Sequence, residues 1–118
     1  MDKNSNLDTL KRQIYENENN LTNLVTQKRH MENAEESLHI CMKKYAKICE
    51  DIKSVYQGEQ ANCVHEIIYE ETKEGKQKIL YAINREYDDN EAEQRKLRQQ
   101  GKNLQDEYSI QKLKEVEE

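Results

Sequence analysis

Apolar residues recur along the first half of the chain at alternating steps of three and four. This is the pattern of a helix that buries one narrow stripe against another helix. With Leu7 at heptad position a, that row reads Leu7, Ile14, Leu21, Lys28, Glu35, Met42, Cys49 and Tyr56. Row d reads Leu10, Asn17, Leu24, Met31, Leu38, Tyr45 and Ile52. Twelve of these fifteen positions are apolar or aromatic, so the pattern predicts one helix from about residue 7 to about residue 56. Ser5 or Asn6 is the expected N-cap. Lys28, Glu35 and Asn17 interrupt the stripe, either as solvated positions in a thin seam or as residues that set register or partner choice.

The unbroken pattern ends at Val55-Tyr56-Gln57-Gly58-Glu59, and a second helical pattern starts at once. Gly58 suits the positive-φ backbone that closes a helix, and Glu59 places a negative charge where the next helix exposes its first N–H groups. A second helix is predicted from about 59 to about 115. Its stripe drifts through Ala61, Val64, Ile67/Ile68, Ile79/Leu80, Ile83, Tyr87, Leu97, Leu104, Tyr108 and Val116. Glu71, Asn90 and Gln94 lie near this stripe, and Gly75 and Gly101 lie inside it. Folding the chain at residues 56–59 pairs positions whose numbers sum to about 115, as expected for antiparallel neighbours joined by a short loop. Met31 then meets Ile83, Leu10 meets Leu104, and Ile14 meets Gly101. The expected fold is therefore all-α, a long antiparallel two-helix hairpin bent at Tyr56-Gly58 and forming one domain over residues 1–118.

Near the bend the apolar face is wider than a two-helix seam requires. Ile40, Ile48 and Val55 lie outside rows a and d, and Ile67 and Ile68 cannot both point into one interface. These five residues are the predicted partner-binding face. Towards the termini the stripe narrows to a and d, which predicts a solvated, fraying end.

Composition agrees with long helices: 118 residues hold no Pro, three Gly and 36% charged residues. A net charge of −5 with both signs interspersed gives no basic footprint for nucleic acid. No run of 18 apolar residues is present, so no membrane span is expected. The first six residues lack the apolar core of a Sec signal. Cys41, Cys49 and Cys63 with His30, His39 and His65 show no C-x-x-C or H-x-x-x-H spacing, so no metal or other cofactor is expected. The cysteines read as small seam residues, with a Cys49 to Cys63 disulfide as the alternative. Carboxylates sit in rows with Lys and Arg at helical spacing, the pattern of solvated faces, and no catalytic constellation is predicted.

Tyr56-Gln57-Gly58 at the bend of such a hairpin resembles the Trp-x-Gly bend of the small WXG-type proteins of Gram-positive type VII secretion, with Tyr in place of Trp. The chain is most similar to the helical accessory proteins encoded beside LXG-domain toxins. Tyr87-Asp88-Asp89-Asn90-Glu91 is similar to the Tyr-x-x-x-Asp/Glu export pattern of that group, although 27 residues follow Glu91 and Tyr87 also fits as a seam residue. The resemblance implies a non-catalytic adaptor that binds the helical LXG domain of a type VII toxin, alone or with a sister hairpin, and assists its export. It also implies a cytoplasmic location with a type VII rather than Sec route out. The alternative is a structural coiled-coil module that self-assembles, in the manner of a prefoldin-like or cytoskeletal hairpin.

Overall fold

The computed structural model describes the backbone of residues 3–117 and the side chains of residues 6–116. It is all-α. Helix α1 spans Lys3–Val55 and helix α2 spans Glu59–Glu117, joined through Tyr56, Gln57 and Gly58 into a helical hairpin. Ser5 and Asn6 are therefore inside α1 rather than at its cap, since no Gly or Pro in the first turn stops the helix before Lys3.

Backbone hydrogen bonds define the bend. The Tyr56 N–H donates to the Ile52 carbonyl at 2.9 Å, the last bond of α1's ladder, and the Asn62 N–H donates to the Gly58 carbonyl at 2.8 Å, the first of α2's. Gly58 thus acts as the N-cap of α2, with φ of 125°, a region that a residue with a Cβ rarely enters. Side-chain donors also reach carbonyls at the end of α1. Ser54 Oγ donates to the Asp51 carbonyl at 2.7 Å, and Gln57 Nε2 points at the Ser54 carbonyl at 3.4 Å. His65 Nε2, from α2, lies 3.0 Å from the Tyr56 carbonyl, which only accepts, so this nitrogen carries the proton.

The chain contains two compact units, residues 1–29 with 88–118 (unit 1) and residues 30–87 (unit 2). Unit 1 holds every buried side chain among the described residues: Leu10, Asn17, Asn90, Gln94 and Leu97. The expectation of a fraying terminal end is overturned, because its polar seam residues are buried and bonded. Asn17 Nδ2 donates to the Leu97 carbonyl at 2.9 Å. Asn90 Nδ2 donates to the Leu24 carbonyl at 3.0 Å and to Gln27 Oε1 at 3.2 Å. Gln94 Nε2 donates to Asn90 Oδ1 at 2.6 Å, and Arg98 Nη2 to Gln94 Oε1 at 3.0 Å, which carries the chain of bonds out to an exposed cation. No buried side-chain N or O among the described residues is left without a partner. At Gly101 an added Cβ would stand 2.6 Å from Asn17 Oδ1, so the residue facing this glycine is Asn17, not Ile14. Val116, read from the sequence as a seam residue, is 78% exposed, and Gln111 and Glu115 take the inner positions instead.

Unit 2 is packed differently. None of its side chains is buried. Its seam is half-buried at Met31, Glu35, Leu38, Met42 and Cys49 on α1 and at Ala61, His65, Ile68, Leu80, Ile83 and Tyr87 on α2. Val64 and Ile67 are exposed rather than in the seam. Gly75 is half-buried, yet a Cβ there would meet nothing within 4 Å, so the facing helix does not come close at this level.

Candidate functional site: an open groove beside the bend

Where α1 and α2 leave space in unit 2, they enclose a groove of about 930 Å³. Its floor comes from seam residues Met42, Tyr45, Cys49 and Ile52 on α1 and from Ile68 and Thr72 on α2. These side chains line it because heptad rows a and d of α1 face α2 here without a second row close enough to cover them. Tyr45 stays 46% and Ile52 44% exposed, values that a closed seam would not leave. Thr72 turns its hydroxyl back to the Ile68 carbonyl at 2.6 Å, so it presents its methyl group rather than an unsatisfied donor. The rim is charged, with Glu50 and Lys53 on one side and Glu66, Lys73 and Lys76 on the other. An apolar floor with a mixed-charge rim suits the apolar stripe of another helix.

The residues expected to form one partner-binding face are distributed around the hairpin. Ile68 lines the groove. Ile48, Val55 and Ile67 are outside it and 55%, 73% and 58% exposed. Ile40, 48% exposed, falls on the back of α1, away from the seam. Of the bend motif, Gly58 makes the turn and Tyr56 contributes its carbonyl to His65, with its ring 64% exposed. Sequence reading missed His65 as a cap and Tyr45 and Ile52 as groove residues, while Tyr69, read with Ile67 and Ile68 on the widened face near the bend, does line the groove. Tyr45 and Ile52 sit in row d, where the heptad pattern treats them as already covered.

The two ends of the export-like pentapeptide are each engaged by α1. In unit 2 the Tyr87 hydroxyl donates to Glu35 Oε2 at 2.7 Å, while Glu35 Oε1 lies 3.8 Å from His39 Nε2. The bond to the Glu35 carboxylate, with burial and the charges of Glu35 and Glu32 adding to it, pushes the Tyr87 phenol up to about 12. In unit 1 Glu91 is 3.7 Å from Lys28 Nζ across the seam, with both side chains partly in water.

Cys41, Cys49 and Cys63 are free thiols, and Cys49 and Cys63 both line the groove. Among the described residues no group of three His, Cys, Asp or Glu is placed to hold a metal ion. No helix among them is long and apolar enough to cross a membrane.

The fold and groove define an all-α helical hairpin with an incompletely covered seam. No protein-family model, no curated protein and no solved structure matches the chain.

Proposed function

We propose that the chain is a non-catalytic helical adaptor whose groove receives helices of a partner protein, and that the partner is the helical LXG domain of a type VII secreted toxin. The carrying observation is the absence of any buried side chain in unit 2 beside an open apolar groove. Each apolar side chain that a partner helix covers contributes roughly 1.5 to 3 kcal/mol of gross stabilisation, from which ordering and association costs are subtracted. Half-covered residues on both sides of the groove give a docked helix several such contacts at once. The bend tripeptide Tyr56-Gln57-Gly58 supports the type VII assignment, and delivery of the toxin to its export machinery is the role that follows. A sister hairpin at the same site would extend the bundle by another layer.

Co-expression with an LXG domain of a type VII secreted toxin tests the proposal. The two chains should co-purify, and Tyr45→Asp with Ile68→Asp should abolish the complex while circular dichroism stays helical. A complex that withstands the double substitution would place the contact elsewhere, and no complex at all with that domain would remove the proposed partner.

A further inference from the structure

Four of the side chains that line the groove from α2, Glu66, Tyr69, Lys73 and Lys76, share one flank of the helix, within about 80° of one another at 100° per residue. Their charges are left open by the fold. Among the described residues no ion pair includes Glu66, Lys73 or Lys76. Three and four residues from Glu66 stand Asn62, Cys63, Tyr69 and Glu70, and from Lys76 stand Thr72, Lys73, Ile79 and Leu80, so neither charge is neutralised from its own helix. The flank is complementary to itself. Laid against a second copy running the other way, Glu66 meets Lys76 and Tyr69 meets Lys73, both pairs centred on position 71.

The floor repeats the match about the same level. On α2, Ile68 meets Gly75 of the second copy, where a Cβ would find nothing within 4 Å, so the isoleucine has room. Position 71 of α2 is level with Tyr45 of α1, by the rule that pairs positions whose numbers sum to about 115. About Tyr45, Met42 meets Cys49 and Leu38 meets Ile52, all seam residues that the chain's own helices leave half-buried or exposed. On the α1 rim, Glu50 falls opposite the stretch 38–42, which holds no acid, and Lys53 falls opposite 35–39, which holds Glu35 and Glu36 and no Lys or Arg. Two helices of unrelated sequence thus share one centre of symmetry, in the middle of the groove.

We propose that two copies of this chain cover the groove on each other, with their bends at opposite ends and a two-fold axis across the helices at the level of Tyr45. In unit 2, α1 then lies over α1 and α2 over α2, antiparallel, and each pairing occurs twice by symmetry. Lys73 of one copy stands against the ring of Tyr69 of the second copy, a cation–π pair. The other two-fold arrangement, with both bends at one end, lays α1 over α2 and sets Glu66 against Glu50 of the second copy, twice. The rim charges reject that arrangement and select the antiparallel one. This dimer is the state of the groove before a partner's helices enter it, and it does not depend on the partner being a toxin domain.

Sedimentation equilibrium of the full chain tests it. The unaltered protein should be a dimer. Lys76→Glu and Glu66→Lys, each purified alone, set like charges against each other twice per dimer and should weaken association by roughly tenfold. Mixed in equal amounts they make both contacts opposite in sign and should recover the original affinity. With Cys41, Cys49 and Cys63 replaced, Tyr45→Cys should crosslink copy to copy through a short bismaleimide, whereas Ile48→Cys, outside the groove, should not. A monomeric unaltered protein, an oligomer larger than a dimer, a mixture no tighter than its components, or crosslinking at Ile48 rather than Tyr45 would each overturn the arrangement. Capture of an LXG domain fails or succeeds separately: a dimer that no such domain enters leaves this arrangement standing, and a monomer that binds one overturns this arrangement alone.

Discussion

Gly101 shows how closely one atom position is specified in unit 1. A glycine inside a helix ordinarily costs about 1 kcal/mol relative to alanine. At Gly101 a Cβ would come within 2.6 Å of Asn17 Oδ1, and that amide is buried and tied to the Leu97 carbonyl. Gly101→Ala should therefore destabilise the protein to urea, while the same change in an Asn17→Ala background should stabilise it by about 1 kcal/mol. Gly75→Ala, with open space around it, should stabilise in either background. Equal effects of Gly101→Ala in both backgrounds would show that Asn17 is not what excludes the methyl group. Tyr87 gives a second measurement at this scale. Its phenol is about 12 in the fold against 10.0 in the unfolded chain, so the folded state holds the proton more tightly. Its contribution to stability is fully present below pH 10 and is lost as pH rises through about 12. The decline in melting temperature across that window should be smaller in Tyr87→Phe than in the unaltered protein. Identical pH profiles would mean that the Glu35 bond is not maintained in solution.

At the scale of the helices, the two halves of the chain were unequally legible. Rows a and d predict the inner face of α1 well, since Leu7, Leu10, Ile14, Asn17, Leu21 and Leu24 are all buried or half-buried. The inner face of α2 in unit 1 reads Asn90, Gln94, Leu97, Gly101, Leu104, Tyr108, Gln111 and Glu115, of which only three are apolar or aromatic. A hydropathy pattern traces such a face only faintly, through Leu97, Leu104 and Tyr108, because an amide such as Asn90 becomes a suitable seam residue only when a facing carbonyl satisfies it. The groove was hidden for the opposite reason: Tyr45 and Ile52 look covered by their spacing, and nothing in the sequence reports the local distance between helices. The bonds from Asn90 to Leu24 and Gln27 also favour one register of the seam, since a heptad slip would break both, while Gln94, bonded to Asn90 and Arg98 on its own helix, holds the Asn90 amide in orientation. Asn90→Leu with Gln94→Leu should leave resistance to urea equal or higher while loosening register. With Cys41, Cys49 and Cys63 replaced, cysteines at Leu10 and Leu104 should crosslink within the chain in both forms. Cysteines at Leu10 and Gln111 should crosslink only in the double-Leu form. Failure of that second crosslink would mean the register is set elsewhere.

For the whole molecule, the all-α hairpin and its bend follow from heptad spacing, the absence of proline and one glycine. The partner is not written in the spacing in the same way. The chain exposes 9737 Å² of surface. A compact folded monomer of 14.1 kDa exposes roughly 6,700 Å². Only two apolar side chains, Leu10 and Leu97, are buried among the described residues. The thin seam has a calorimetric consequence. Unfolding a compact domain raises the heat capacity by about 12 to 15 cal/mol/K per residue, because newly hydrated apolar surface dominates the change. A hairpin whose apolar groups are already largely hydrated should fall well below that range, giving a broad melt and a nearly straight stability curve. The missing heat capacity should reappear on assembly, as a negative change on binding that grows with the length of groove filled. An unfolding heat capacity already at the compact-domain value would mean that the isolated chain buries far more apolar surface than its seam accounts for.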